Sequence, residues 1–129
     1  VFLKFNEVMA MAEAVTADCT QESTLDLCPK FQQTFTILGK KWNGLILEVL
    51  LQNGASRFKD IAQSVTKCSD RVLVERLKEL EASGLISRQT HTDSALIEYA
   101  LTDKGEGLRP VMDAAHVWGD AWISDAECN

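Results

Sequence analysis

Proline and histidine are scarce in this chain, with two of each: Pro29, Pro110, His91 and His116. Neither histidine lies in a recognisable catalytic motif, so the sequence offers no evident nucleophile–base pair and no enzyme is expected. The four cysteines, Cys19, Cys28, Cys68 and Cys128, never take paired CxxC spacing, which argues against a zinc site. No Gly-rich phosphate loop, internal repeat or low-complexity tract occurs, and no metal or cofactor is expected. No apolar run approaches the ~20 residues that span a bilayer. The apolar N-terminus is broken by Lys4, Asn6, Glu7 and Glu13, which removes a signal-peptide core. A cytoplasmic protein with free thiols, away from membranes, is the expectation.

What remains is an ordinary globular composition. Hydrophobic residues make up 46% and charged residues 25% of 129, enough for one domain with a core and an appendage. The net charge of −6 is unevenly placed. Residues 1–29 carry one Lys against five acids, and residues 92–129 two basic residues against eight acids. Residues 30–91 carry ten Lys/Arg against six acids. An acidic chain with a basic centre is compatible with DNA binding.

The strongest local signal sits in that basic centre, over 69–83. Ser69 is a good N-cap, Leu73, Leu77 and Leu80 form one buried helical stripe, and Gly84 follows as a left-handed cap. Arg71, Val74, Glu75 and Lys78 lie on the opposite face. Ahead of it, Phe58, Ile61, Ala62 and Val65 have helical spacing, and residues 66–69 form a turn. Short helix, turn, longer helix is the helix-turn-helix layout. Downstream, residues 85–91 and 96–101 flank a polar tip, Thr92-Asp93-Ser94. Ile97, Tyr99 and Leu101 alternate there with Glu98 and Ala100, which makes a hairpin, or wing.

Further helices flank this module. Phe2, Phe5, Met9, Ala12 and Val15 give a stripe on a helix over 1–17, followed by a polar loop over 18–26. Pro29 opens a helix with Cys28 at its N-cap, Phe31, Phe35 and Leu38 as its stripe, and Gly39 closing it. A helix from about Lys41 to Gln52 turns Trp42, Leu45, Ile46, Val49 and Leu50 inward, and Asn53-Gly54 ends it. Thr102 caps a last helix that Pro110 kinks or restarts. Its stripe of Leu108, Val111, Met112, Ala115, Trp118 and Trp122 exceeds what a small domain needs to cover itself, which points to a dimer interface. The fold expected is mainly α with a small β-hairpin: a winged helix-turn-helix over 28–101, a helical extension and loop over 1–27, and a C-terminal helix and tail over 102–129, with both the N- and C-terminal helices serving dimerisation.

Cys28-Pro29-Lys30, Leu38-Gly39-Lys40-Lys41-Trp42, Arg57-Phe58-Lys59-Asp60-Ile61, Arg76-Leu77-Lys78-Glu79-Leu80-Glu81, Gly84-Leu85-Ile86-Ser87-Arg88 and Glu98-Tyr99-Ala100-Leu101-Thr102-Asp103-Lys104-Gly105 resemble the HxlR-type winged-helix transcription regulators. The chain is most similar to their YodB-like members, repressors that sense electrophiles and oxidants through a thiol. The resemblance implies a homodimer on a near-palindromic, double-stranded operator, with a recognition helix in each major groove. It implies that Ser69, Arg71, Val74, Glu75 and Lys78 form the groove face. By the same resemblance Arg57 and Lys59 cross the DNA backbone, Lys40 and Lys41 form a basic pair near a helix start, and Arg88 and His91 lie on the wing. Cys28 corresponds to the sensing thiol, whereas Cys68 matches no family cysteine.

Cys28 has a physical case of its own. The positive end of the helix dipole and nearby Lys30 both favour the reactive thiolate. Cys128, one residue from the end, and Cys19, in the loop that leads to Cys28, are both candidates to close a disulfide with it. Two other readings stand beside the regulator: a winged-helix protein-interaction module that binds no DNA, and a Cys-dependent enzyme.

Overall fold

The computed structural model describes residues 25–128. The helix expected over 1–17, and Cys19, lie outside them. The chain divides into two compact units, Val1–Ile37 and Leu38–Asn129. In the first, α1 (Pro29–Leu38) starts where expected. The Cys28 carbonyl accepts from the Gln32 amide at 3.1 Å, so Cys28 is the residue that enters the helix. Pro29 takes the first helical position, where a missing N–H costs nothing. Phe31 and Phe35 pack ring to ring at 5.0 Å between centroids. Both stay largely exposed.

The second unit runs α2 (Asn43–Asn53), β1 (Ser56–Arg57), α3 (Phe58–Ser64), α4 (Asp70–Ala82), β2 (Ile86–His91), β3 (Ser94–Leu101), α5 (Asp103–Glu106), α6 (Arg109–Trp122) and a 3-10 turn (Asp125–Cys128). The core is drawn from one face of each of several elements: Ile46, Leu47, Leu50 and Leu51 from α2, Ile61 from α3, Leu73, Leu77 and Leu80 from α4, and Leu85 and Ile86 at the base of the wing. Burying a leucine of this kind stabilises the fold by about 1.5–3 kcal/mol relative to leaving it in water.

Two features of α2 differ from the sequence expectation. It begins at Asn43 rather than Lys41, because Trp42 is left-handed with φ of 80°. A bulky residue there costs about 1–3 kcal/mol and needs surrounding contacts to hold it. The inward face also differs. Leu47 and Leu51 are buried, whereas Leu45 is 53% exposed. The segment Leu45–Leu51 is apolar almost all round, so its periodicity could not choose a face.

The C-terminus of α2 is set by Gly54, at φ 76° and ψ −156°, a region almost reserved for glycine. Its amide donates to Leu50. The turn then delivers buried Ser56, whose hydroxyl donates to the Gly54 carbonyl and accepts from the Asn53 amide group. Ser56 and Arg57 form a short strand that the helical spacing of Phe58, Ile61 and Val65 did not announce. The sheet is antiparallel, in the order β1-β3-β2, with Ser56 opposite Tyr99 and Arg57 opposite Glu98. On the other side of β3, Arg88 faces Tyr99 and Gln89 faces Glu98. A bulge falls between Thr90 and His91, and Ser94 already belongs to β3, so the wing tip is Thr92-Asp93.

Pro110 restarts the chain as a helix rather than kinking one. Thr102 caps α5, accepting from the Gly105 amide, and α6 follows from Arg109. No residue of α6 is buried. It is tied to α2 by a hydrogen bond between His116 and Glu48 and by Arg109 donating to the Leu51 carbonyl. Its apolar side chains stand out from the body, with Trp118 60% and Trp122 72% exposed.

Candidate functional site

The helix α4 is built as its sequence reads. Ser69 accepts from the Val72 amide through its hydroxyl, at 3.3 Å. This satisfies one of the free donors of the first turn. At the other end Gly84 is left-handed (φ 78°), its amide reaching Glu81 and the Leu85 amide reaching Leu80. That double bond is a Schellman cap. With Leu73, Leu77 and Leu80 inside, residues four and three apart on the far side must face out. Val74 is 39% exposed and the Arg71 side chain 91%, and Glu75 and Lys78 are also exposed.

Arg71 and Glu75 form a long ion pair of 3.9 Å. So exposed a pair holds neither side chain firmly, and Arg71 is free to turn toward an acceptor. Val74 between them offers a methyl surface. A guanidinium, a carboxylate, an ammonium and an aliphatic on one exposed face match the chemistry that reads base edges in a major groove.

The remaining predicted residues fall around this face. Arg57 and Lys59 are exposed at the junction of β1 and α3, the helix that precedes the recognition helix. Lys67 stands exposed in the turn between α3 and α4. Periodicity does not single it out, because a turn has none. On the wing Arg88 is exposed, and the His91 ring lies 3.3 Å from the Glu98 carboxylate. Lys40 and Lys41 lie before α2 rather than on it. The Lys40 ammonium is 2.9 Å from Glu79, and the Lys41 ammonium sits 4.9 Å over the Trp42 ring. Lys40 holds the Glu79 carboxyl below the usual glutamate range through a hydrogen bond, and its charge and that of Arg76 add to the effect.

Contacts at the middle and at the C-terminal end of α4 did not stand out in the sequence. Arg76 donates to the Lys41 carbonyl at 3.0 Å and lies 3.5 Å from Glu79. Lys104 donates to the Ser83 carbonyl at 2.7 Å, and the Thr102 hydroxyl reaches the Gly84 carbonyl. Both tether the helix to segments distant in sequence, and such pairings leave no local pattern.

The thiols separate clearly. Cys28 and Cys128 are exposed, and Cys68 is buried. Burial pushes the Cys68 thiol above its ordinary range, although Arg76 and Lys41 pull the other way. Cys68 therefore sits as a small apolar group at the start of the recognition helix, its sulfur 3.5 Å from the Ser69 carbonyl. No cluster of metal-ligating side chains occurs among the described residues.

Residues 37–127 match the family model described as HxlR-like helix-turn-helix. The HTH-type transcriptional regulator YodB of Bacillus subtilis (strain 168) is 41% identical over 102 residues, covering 78% of this chain and 90% of YodB. The crystal structure of quinone-bound YodB from B. subtilis aligns with a TM-score of 0.66 at 42% identity, covering 74% of this chain and 100% of that one. The redox regulator HypR in its reduced form aligns with a TM-score of 0.68 at 28% identity, over 78% of this chain and 99% of HypR.

Proposed function

This chain belongs to the HxlR family of helix-turn-helix transcriptional regulators, and from that premise we propose that it is a cytoplasmic homodimeric repressor whose grip on operator DNA is released when Cys28 is modified. The observation that carries the switch is the exposed thiol of Cys28 at the N-terminus of α1, with Pro29 fixing the geometry of the chain beside it. A quinone-bound structure exists for a 42% identical neighbour, and another neighbour is a redox regulator.

The chemistry is simple. The Cys28 sulfur adds to a ring carbon of a quinone, forming one C–S bond; the thiol proton ends on one ring oxygen and the hydrogen of the attacked carbon shifts as a proton to the other, leaving a thioether-linked hydroquinone. With a diazene oxidant, two thiols lose two protons and two electrons to the N=N bond, giving a disulfide and a hydrazine. Cys128 and Cys19 are the candidate second thiols. Arg71, Val74, Glu75, Lys78 and Ser69 would read the groove, while Arg57, Lys59, Arg88 and His91 would meet backbone phosphates beside it. Two half-sites must match recognition helices about 34 Å apart or a multiple of it, so a small shift between subunits costs much affinity. The dimer would use the apolar face of α6. No catalytic step is assigned, since the relatives are transcriptional regulators.

A gel shift with the DNA upstream of its own gene tests the reading. Diamide or a quinone should release wild-type protein, and thiol reductant should reverse the diamide effect. The Cys28→Ser protein should bind and ignore the oxidant. If Cys28→Ser loses DNA as readily as wild type, Cys28 is not the sensor. If reduced wild type shows no sequence-preferring binding, the interaction-module reading takes its place.

A further inference from the structure

The recognition helix is held by two kinds of contact. Its leucine stripe is buried and so sets which side of the helix faces out, but without directional bonds it sets the rotation only coarsely. The second kind is a closed ring of polar groups on its flank. The Lys40 ammonium meets Glu79 at 2.9 Å. Glu79 faces Arg76 one turn back, at 3.5 Å. Arg76 donates its Nε–H to the Lys41 carbonyl at 3.0 Å, and the backbone from Lys41 to Lys40 closes the ring. The Arg76 side chain is only 16% exposed, so its two bonds are screened less than those of a surface pair.

The carbonyl that Arg76 grips belongs to the residue just before left-handed Trp42. A bulky residue in that region persists only where its surroundings over-determine it. The ring therefore ties an unusual backbone joint to the middle of α4. Arg76 and Glu79 lie between the buried leucines and the outward face of Arg71, Val74, Glu75 and Lys78, where a directional bond fixes which side chains point at the groove.

We propose that Arg76, with Glu79 and Lys40, is the positioning device that sets the rotation of the recognition helix, and that Lys40 acts in this ring rather than on a DNA phosphate. The proposal rests on the DNA-binding reading above. It makes a prediction opposite in sign to plain electrostatics. Removing the negative charge of Glu79 near DNA should strengthen binding if only charge matters. If the ring sets the helix, the same change should weaken operator recognition.

The test uses full-length reduced protein and the duplex that wild type selects from a random pool, with a mixed-sequence duplex as reference. Glu79→Gln and Lys40→Met should each lower the operator-to-reference affinity ratio about threefold to tenfold, the scale of partly exposed charge-assisted bonds. Their combination should lose less than the product of the two, because both break one ring. The salt slope should stay at its wild-type value in Lys40→Met. Arg76→Met should lower the ratio further, and Arg76→Lys should recover part of the loss, since an ammonium can satisfy one of the two partners. Thermal melts identify any variant that fails to fold, and Glu79→Gln and Lys40→Met, at the more exposed positions, carry the test if Arg76→Met does. A lower salt slope with uniform loss across sequences in Lys40→Met overturns the proposal, as does tighter operator binding by Glu79→Gln. A wild type that selects no duplex removes the DNA-binding reading and the proposal with it.

Discussion

Arg71 is the side chain on which sequence preference should depend most. It is almost fully exposed, and its ion pair with Glu75 is too long and too solvated to hold it. Arg71→Ala should cost about 1–3 kcal/mol of operator binding and relax preference at the bases it contacts, measured by titration against single-base variants. Lys59 should act differently. Its replacement by Ala should weaken all sequences alike and lower the slope of log affinity against log salt by about one. The thiols make a third residue-scale contrast. Alkylation of native protein followed by mass spectrometry should find Cys28 and Cys128 modified about tenfold faster than Cys68 or more, since Cys68 is both covered and held as the neutral thiol. Rapid native labelling of Cys68 would mean that the start of α4 opens readily.

Among the elements, caps and turns decide more than propensity. Gly54 has open space around it, so a methyl group would meet no atom, yet its backbone angles are strained for any side chain. Gly54→Ala should therefore cost about 1–3 kcal/mol of stability in a denaturant titration without disturbing packing. Glu79 links α4 to the α1–α2 joint in a pH-dependent way. Its carboxyl lies below the usual value near 4.5, chiefly through the hydrogen bond from Lys40. A depressed folded value means that the bond contributes above the unfolded value and is lost as pH falls through the folded one. Thermal melts of wild type and Lys40→Met should differ at neutral pH and converge as the pH drops below the usual glutamate range.

At the scale of the whole molecule, α6 carries an exposed apolar face. Val111, Trp118 and Trp122 lie on one side of the helix, and all three are exposed. A tryptophan can bury about 150–250 Å², and a stable interface needs roughly 800 Å² from each partner, so two such helices crossing supply much of a dimer. Light scattering on the intact protein should report twice the chain mass. Trp118→Ser with Trp122→Ser should shift it to a monomer while the circular dichroism of the helices is kept. An intact protein that is monomeric at micromolar concentration would remove the dimer, and with it the paired half-sites.

Local chemistry determined what the sequence could determine alone. Ser69, the leucines of α4 and Gly84 mark the recognition helix to its last residue, because capping and a 3.6-residue stripe act within one turn of the chain. The alternation around Ile97 and Tyr99 likewise marks the wing, and Pro29 places Cys28 at a helix start. Tertiary structure decided the rest. Between Leu45 and Leu51 nearly every residue is apolar, and only the seat of α2 against β3 and α3 chose Leu47 and Leu51 over Leu45. Ser56 and Arg57 are a strand only because Tyr99 and Glu98, more than forty residues on, pair with them. Arg76 reads as one more charge on an amphipathic helix until the fold brings it to the Lys41 carbonyl, thirty-five residues back. Such contacts depend on loop closure and on which surfaces meet, and neither is written in a window of neighbouring residues.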